Sequence, residues 1–137
     1  MPLKVLSLCK VYNTGGAHPS HATSTLNCDL NTGEVLILAD LFKPGMNYLK
    51  PISALTIAEL TQQNRLLFPD GAQPTSENYA NWNLDHGGLL FTFDEYQVGP
   101  YAQGASEIYI SYTDSTIADL FADSFMNTIY RHLVTTP

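Results

Sequence analysis

Apolar and polar positions alternate from the start of the chain. Val5, Ser7, Cys9 and Val11 interleave with Leu6, Leu8, Lys10 and Tyr12, a pattern suited to a strand over residues 4–12 covered on both faces. Residues 22–30 alternate more cleanly, with Leu26, Cys28 and Leu30 on one side and Thr25, Asn27 and Asp29 on the other. Asn31-Thr32-Gly33-Glu34 is a turn signature, and Val35-Leu36-Ile37-Leu38 reads as a short buried strand after it. The first forty residues therefore predict a three-stranded antiparallel meander. A hairpin register that sets Cys9 opposite Cys28 and Val11 opposite Leu26 would allow a disulfide. A register shifted by a few residues separates the two and leaves free thiols.

Helical spacing follows. Leu49, Ile52, Ile57, Leu60 and Leu67 share one broad face, which predicts a helix over about residues 48–67 with Pro51 in its first turn. Phe68-Pro69-Asp70-Gly71 stops it, and residues 70–80 read as a surface loop. Residues 81–85 and 89–93, joined by His86-Gly87-Gly88, predict a hairpin. Asp94 to Gly104 is irregular, and residues 107–112 predict another strand. Thr113-Asp114-Ser115 offers cap oxygens for a final helix striped by Ile117, Leu120, Phe121, Phe125, Ile129 and Leu133. The class expected is α+β: an antiparallel sheet of five to six strands, one helix packed on it, and a C-terminal helix.

Composition narrows the partners more than the fold. The 137 residues are 45% apolar and 11% aromatic, which suits a single folded domain over residues 1–137. Net charge is −7, and the six basic residues, Lys4, Lys10, Lys43, Lys50, Arg65 and Arg131, are scattered. Without a basic stripe, nucleic acid and anionic membrane are poor partners, whereas a cationic partner would be steered to the surface. No apolar run is long enough to span a bilayer. Leu6-Ser7-Leu8-Cys9 reads as strand, since Leu8 is too large for a lipoprotein cleavage site and no apolar leader precedes it. The chain carries no signal segment, as expected of a cytosolic protein or of a secreted one without its leader.

Gly15-Gly16-Ala17-His18-Pro19 joins two strand-like runs, and no core requires it. Two glycines allow unusual backbone, and Pro19 holds His18 extended, so the loop should present an imidazole and bare amides. His18 and His21 lie three apart, but a zinc site needs three or four ligands and no clear third is nearby. The better reading of His18 is a ring that bonds a backbone carbonyl and braces the turn. Asp94-Glu95 would point to opposite faces of a strand, and no nucleophile–base or zinc motif is present, so no cofactor or metal is expected. Tyr96, Tyr101, Tyr109, Tyr112 and Trp82 could stack on sugars or anchor an interface; alternatively Tyr96 and Tyr101 cap the sheet edge as core residues.

Three pieces in order carry a family resemblance. They are Gly15–Pro19, then Asp29-Leu30-Asn31-Thr32-Gly33 running into Leu38–Phe42, then Gly88–Phe91 through Tyr96, Pro100-Tyr101-Ala102 and Gly104. Over about residues 5–120 the chain resembles the C-terminal domain of RsiV-type proteins. That domain of unknown function is best known from a membrane-anchored, lysozyme-sensing anti-sigma factor, and it occurs also in some peptidoglycan deacetylases. Gln97 stands where the family often has an acidic residue.

The resemblance implies a non-catalytic recognition domain outside the cytoplasm, periplasmic or on the cell surface. Its ligand would be a lysozyme-like cationic protein or a peptidoglycan-type glycan, bound by Gly15, Gly16, His18, Tyr96 and Tyr101 on one side of the domain. Two rival readings are an envelope hydrolase or deacetylase-associated enzyme using His18 with a nearby carboxylate, and a structural module that forms homo-oligomers through an edge strand.

Overall fold

A two-stranded ribbon stands beside a three-stranded antiparallel sheet. The computed structural model describes residues 5–14 and 20–127, with side chains from residue 22 onward. Strand β1 (Val5–Thr14) pairs with β2 (Ser20–Asp29), and β3 (Trp82–Leu84), β4 (Gly88–Phe93) and β5 (Ser106–Ser111) form the sheet in that order. Helix α1 spans Leu49–Gln62. The α+β class is as the sequence implies. The single sheet of five to six strands is not.

The reason lies in the seam between ribbon and sheet. The outer edge of β3 meets side chains of β2 rather than its backbone. Trp82 N–H donates to Thr25 Oγ1 at 3.2 Å, and Asn27 Nδ2 donates to the Trp82 carbonyl at 2.9 Å. Both backbone groups of Trp82 are thus satisfied without a ladder, and the sheet stops at β3.

Register also differs from the cysteine-pairing arrangement. Cys9 lies opposite Thr25, while Cys28 lies opposite Leu6 and is a free thiol. The third strand of the meander shrinks to one bridge between Cys28 and Val35. Asp40 accepts the Ile37 N–H and starts a turn of 3-10 helix at Leu38, which pulls the chain away from β2. Val35 and Ile37 are consequently exposed rather than buried.

Helix α1 ends five residues before the predicted boundary. Asn64 adopts φ +57°, Arg65 N–H donates to the Leu60 carbonyl, and Asn64 N–H donates to that of Thr61. This is the left-handed C-terminal cap that asparagine tolerates. Leu67 therefore falls outside the helix and is exposed. The fully buried side of α1 is Ile52, Ser53, Thr56 and Leu60, and Leu49 and Ile57 pack against the core partly buried, so two hydroxyls join the expected aliphatic face.

The core sits between α1 and one face of the sheet. Leu89, Phe91 and Phe93 of β4 meet Ile110, Ile108 and Ser106 of β5 across the ladder, and all six are buried. Tyr79 packs edge-on against Phe91 and Phe93, with ring centroids at 5.5 and 5.6 Å. Its hydroxyl and that of Ser53 both donate to the Ala72 carbonyl. Tyr112 is also core: its hydroxyl donates to the Asp85 carbonyl at 2.7 Å. Burial raises the pKa of both phenols, so they remain neutral donors at neutral pH.

The final helix begins later than its apolar stripe implies. Ile117 precedes a 3-10 turn at Ala118–Leu120, and Phe121 forms an antiparallel bridge with Phe42. Helix occupies residues 123–127 at the edge of the described residues, beyond which Ile129 and Leu133 lie. Phe121 stacks on Phe42, which stacks on Tyr48, tying this end to the start of α1.

Candidate recognition loop

The segment from Asp94 to Ala105 leaves β4 and returns to β5 by an irregular path fastened on both sides. Gln97 N–H donates to the Asp94 carbonyl, and Tyr96 between them has φ +70°. Left-handed backbone at a bulky residue costs on the order of 1–2 kcal/mol, so surrounding bonds must hold it. The Asp94 carboxylate accepts Thr23 N–H with both oxygens, at 2.9 and 3.1 Å. Gln97 Nε2 donates to the carbonyls of Gly71 and Asn78, at 3.0 and 2.9 Å. The Val98 carbonyl accepts both Leu67 N–H and Phe68 N–H.

The second half is held by Arg65. Its guanidinium donates to Ser106 Oγ and to the carbonyls of Gln103 and Ala105, at 3.0, 2.8 and 3.2 Å. Gln103 Nε2 returns a bond to the Arg65 carbonyl at 2.7 Å. Arg65 acts here as a planar fork on two backbone carbonyls and a hydroxyl, a task lysine cannot copy. Sequence reasoning singled out neither Arg65 nor Gln103, since both look like ordinary polar surface residues.

This frame displays two phenols. Tyr96 is 55% exposed and Tyr101 is half-buried. Their ring centroids lie 6.0 Å apart at 32°. They form a tilted aromatic pair at the surface, so Tyr96 does not cap the sheet edge as a core residue. Such a pair offers ring faces to the C–H groups of a sugar or to an interface side chain. Trp82 and Tyr112 are buried, while Tyr109 is exposed on β5.

Gly15, Gly16 and His18 lie outside the described residues, as does any test of their distance from Tyr101. The Thr23–Asp94 bond does attach the tyrosine loop to β2 near its Ser20 end, where the glycine loop enters. Among the described residues, no group of three His, Cys, Asp or Glu side chains could hold a metal ion.

The chain is an α+β fold that carries a fastened loop with a tyrosine pair at the surface. Residues 39–113, more than half of the chain, match the family described as "Protein of unknown function (DUF3298)". The chain belongs to this family. The matched stretch contains the resemblance-bearing Gly88–Gly104 segment; Gly15–Pro19 precedes it.

The chain is 26% identical over 118 residues to the peptidoglycan-N-acetylmuramic acid deacetylase PdaC of Bacillus subtilis, spanning 82% of this chain and 25% of that protein. Two crystal structures of DUF3298 family proteins share the fold. The one from Bacteroides fragilis has a TM-score of 0.69 at 24% identity, covering 96% of this chain and 53% of its own. The one from Pseudomonas aeruginosa has a TM-score of 0.64 at 21% identity, covering 90% and 57%. The chain thus spans a quarter of the curated relative and little more than half of the two solved chains.

Proposed function

We propose that this chain is a single non-catalytic recognition domain acting outside the cytoplasm, and that it binds peptidoglycan-type glycan through Tyr96 and Tyr101. The carrying observation is the tilted tyrosine pair on a loop fastened by Asp94, Gln97 and Arg65. A prearranged pair binds without first ordering its loop, which favours affinity. The named chemistry of the Bacillus subtilis relative, a peptidoglycan deacetylase, supports the choice of glycan. Gly15, Gly16 and His18 would complete the site from the ribbon's end.

Calorimetric titration with soluble muropeptide-free glycan fragments tests this reading. Tyr96→Ala and Tyr101→Ala should each weaken binding about tenfold, roughly 1.4 kcal/mol, with unchanged melting temperature. Wild-type affinity in both variants would remove the tyrosine pair from the site.

A second reading, an RsiV-like capture of a lysozyme-type cationic protein, is favoured by the net charge of −7. Steering by charge makes binding salt-sensitive. Titration with lysozyme should show affinity at low salt that falls at physiological salt. No binding at low salt would discard this reading, and salt-independent tight binding would discard its electrostatic basis.

A further inference from the structure

The outer edge of β5 is open from Glu107 to Ser111. Tyr112 N–H donates to the Gly87 carbonyl at 3.0 Å, one step beyond the register pair of Ser111 and Gly88. Directly bonded pairs recur every second residue in an antiparallel ladder, so Ile110, Ile108 and Ser106 turn their backbone toward β4. Glu107, Tyr109 and Ser111 turn theirs outward. Among the described residues, the N–H and C=O of Glu107 and Tyr109 and the N–H of Ser111 have no partner. The edge is closed on either side of this span. The Ser111 carbonyl accepts Asp114 N–H at 3.1 Å, and the Ala105 carbonyl accepts from Arg65. No proline or bulge blunts the strand, which pairs with β4 residue for residue. The Tyr109 ring leaves the open side clear as well, because it leans over Gly87 and Gly88 on the β4 side.

The open span is centred on Tyr109, which makes it complementary to itself. A two-fold axis beside Tyr109 pairs β5 antiparallel with β5 of a second copy. Each Tyr109 then exchanges both backbone bonds with its counterpart, and Glu107 lies opposite Ser111. On the core face Ile108 meets Ile110, so the buried apolar rows of the two sheets run on into each other. On the outer face each Glu107 carboxylate faces a hydroxyl rather than another carboxylate. The same register sets Ala105, with Arg65 on its carbonyl, opposite Thr113 of the second copy and beside its Asp114. A guanidinium thus approaches a carboxylate at both ends. The net charge of −7 opposes association over the whole surface, but no like charges are opposed across this ladder. At the other margin of the sheet, Trp82 is already satisfied by Thr25 and Asn27, so pairing through β5 closes at two copies.

We propose that the chain forms a two-fold dimer through β5, joining two three-stranded sheets into one of six strands. This interface goes beyond the tyrosine-pair reading and does not depend on it. One strand pair is a small interface, so the dimer should form reversibly as concentration rises. Sedimentation equilibrium of the full chain at physiological salt should show that monomer–dimer equilibrium. Ser111→Glu sets carboxylate against carboxylate twice across the two-fold and should weaken the dimer about tenfold. Adding Glu107→Lys to it sets lysine against glutamate and should restore the dimer. Positions 107 and 111 of one strand lie about 13 Å apart, so rescue cannot arise within a single copy. A second measurement uses the unaltered protein and stands even if a variant fails to fold. In a mixture of carbon-13-labelled and unlabelled chains, NMR should show contact between the Ile108 and Ile110 α-protons of different copies. The amides of Glu107, Tyr109 and Ser111 should gain exchange protection as concentration rises. A chain that stays monomeric at NMR concentration overturns the proposal and leaves the edge to a strand of another protein. A dimer that Ser111→Glu leaves unchanged, one that the double variant fails to rescue, or contacts between copies centred away from β5 overturn it equally.

Discussion

Phe121→Ala should lower stability by about 4 kcal/mol, within the range for emptying a buried aromatic site. Phe121 is almost fully buried and contacts three rings. It stacks on Phe42 at 4.7 Å and packs against Tyr112 at 5.8 Å and Phe125 at 5.5 Å, while Phe42 in turn stacks on Tyr48. Two backbone bonds flank it, Lys43 N–H to the Leu120 carbonyl and Ala122 N–H to the Leu41 carbonyl. Collapse around the missing ring is therefore restricted from both sides, and a cavity should persist. For a chain of this size the loss corresponds to a fall in melting temperature of roughly 12 °C. Phe68→Ala is the matched control. Phe68 is exposed, and its loss should cost under about 1 kcal/mol. Urea unfolding of both variants measures the difference. Equal small effects would mean that residues 117–127 fold apart from the cooperative core.

The Phe42–Phe121 bridge shows where sequence patterning stopped being informative. Strand periodicity located β1, β2, β4 and β5 within about two residues, and on β4 and β5 the alternation reflects one face buried in the core. It did not reveal that Trp82 would find its partners in the Thr25 and Asn27 side chains. A threonine or asparagine at that parity reads as an exposed strand residue whether it bonds water or a neighbouring strand. One such substitution of side chain for ladder divides the expected five- to six-stranded sheet into two. The bridge at Phe42 is likewise a single non-local pair with no period to detect.

The helix ends followed local chemistry that was present but weak. Asn64 can cap a helix in the left-handed region, yet apolar spacing continues past it through Leu67, and the spacing argument outran the cap. The opposite happened at residues 35–38. Four apolar residues in a row suggested burial, but Asp40 turned the chain before a third strand could form. The aliphatic side chains that would have been core became an exposed edge.

At the candidate site, the tyrosines were legible and their support was not. Tyr96 and Tyr101 stood out as aromatic residues on a glycine-bearing loop. In the sequence, Gln97 is distinctive only in lacking a charge. Its amide in fact spans to two carbonyls of another loop, an arrangement that depends on how closely residues 71 and 97 approach. Contacts made by sequence-distant polar side chains to backbone leave no pattern of their own.

That close approach defines the second large effect. Gly71→Ala should destabilise the domain by about 3 kcal/mol, in the upper range for overpacking. A Cβ at Gly71 would lie on the carbonyl oxygen of Gln97, with the Gln97 Cγ at 3.0 Å. The obstructing atom is backbone, so no rotamer change relieves the clash. Either the 69–72 turn or the tyrosine loop must move. Movement would strain the Gln97 bonds to Gly71 and Asn78 that oppose the left-handed turn at Tyr96. Glycan affinity should therefore fall together with stability, although residue 71 carries no group that could touch a ligand. Gly45→Ala separates the two causes of glycine sensitivity. Gly45 has φ +79° with nothing within 4 Å of an added Cβ, so its substitution should cost about 1 kcal/mol from backbone conformation alone and leave binding unchanged. Adding Gln97→Ala to Gly71→Ala should not restore stability, because it removes the Cγ contact and keeps the carbonyl. Restoration by that second substitution would show that the side chain was the obstacle, and the backbone contact would lose its place as the support of the tyrosine pair.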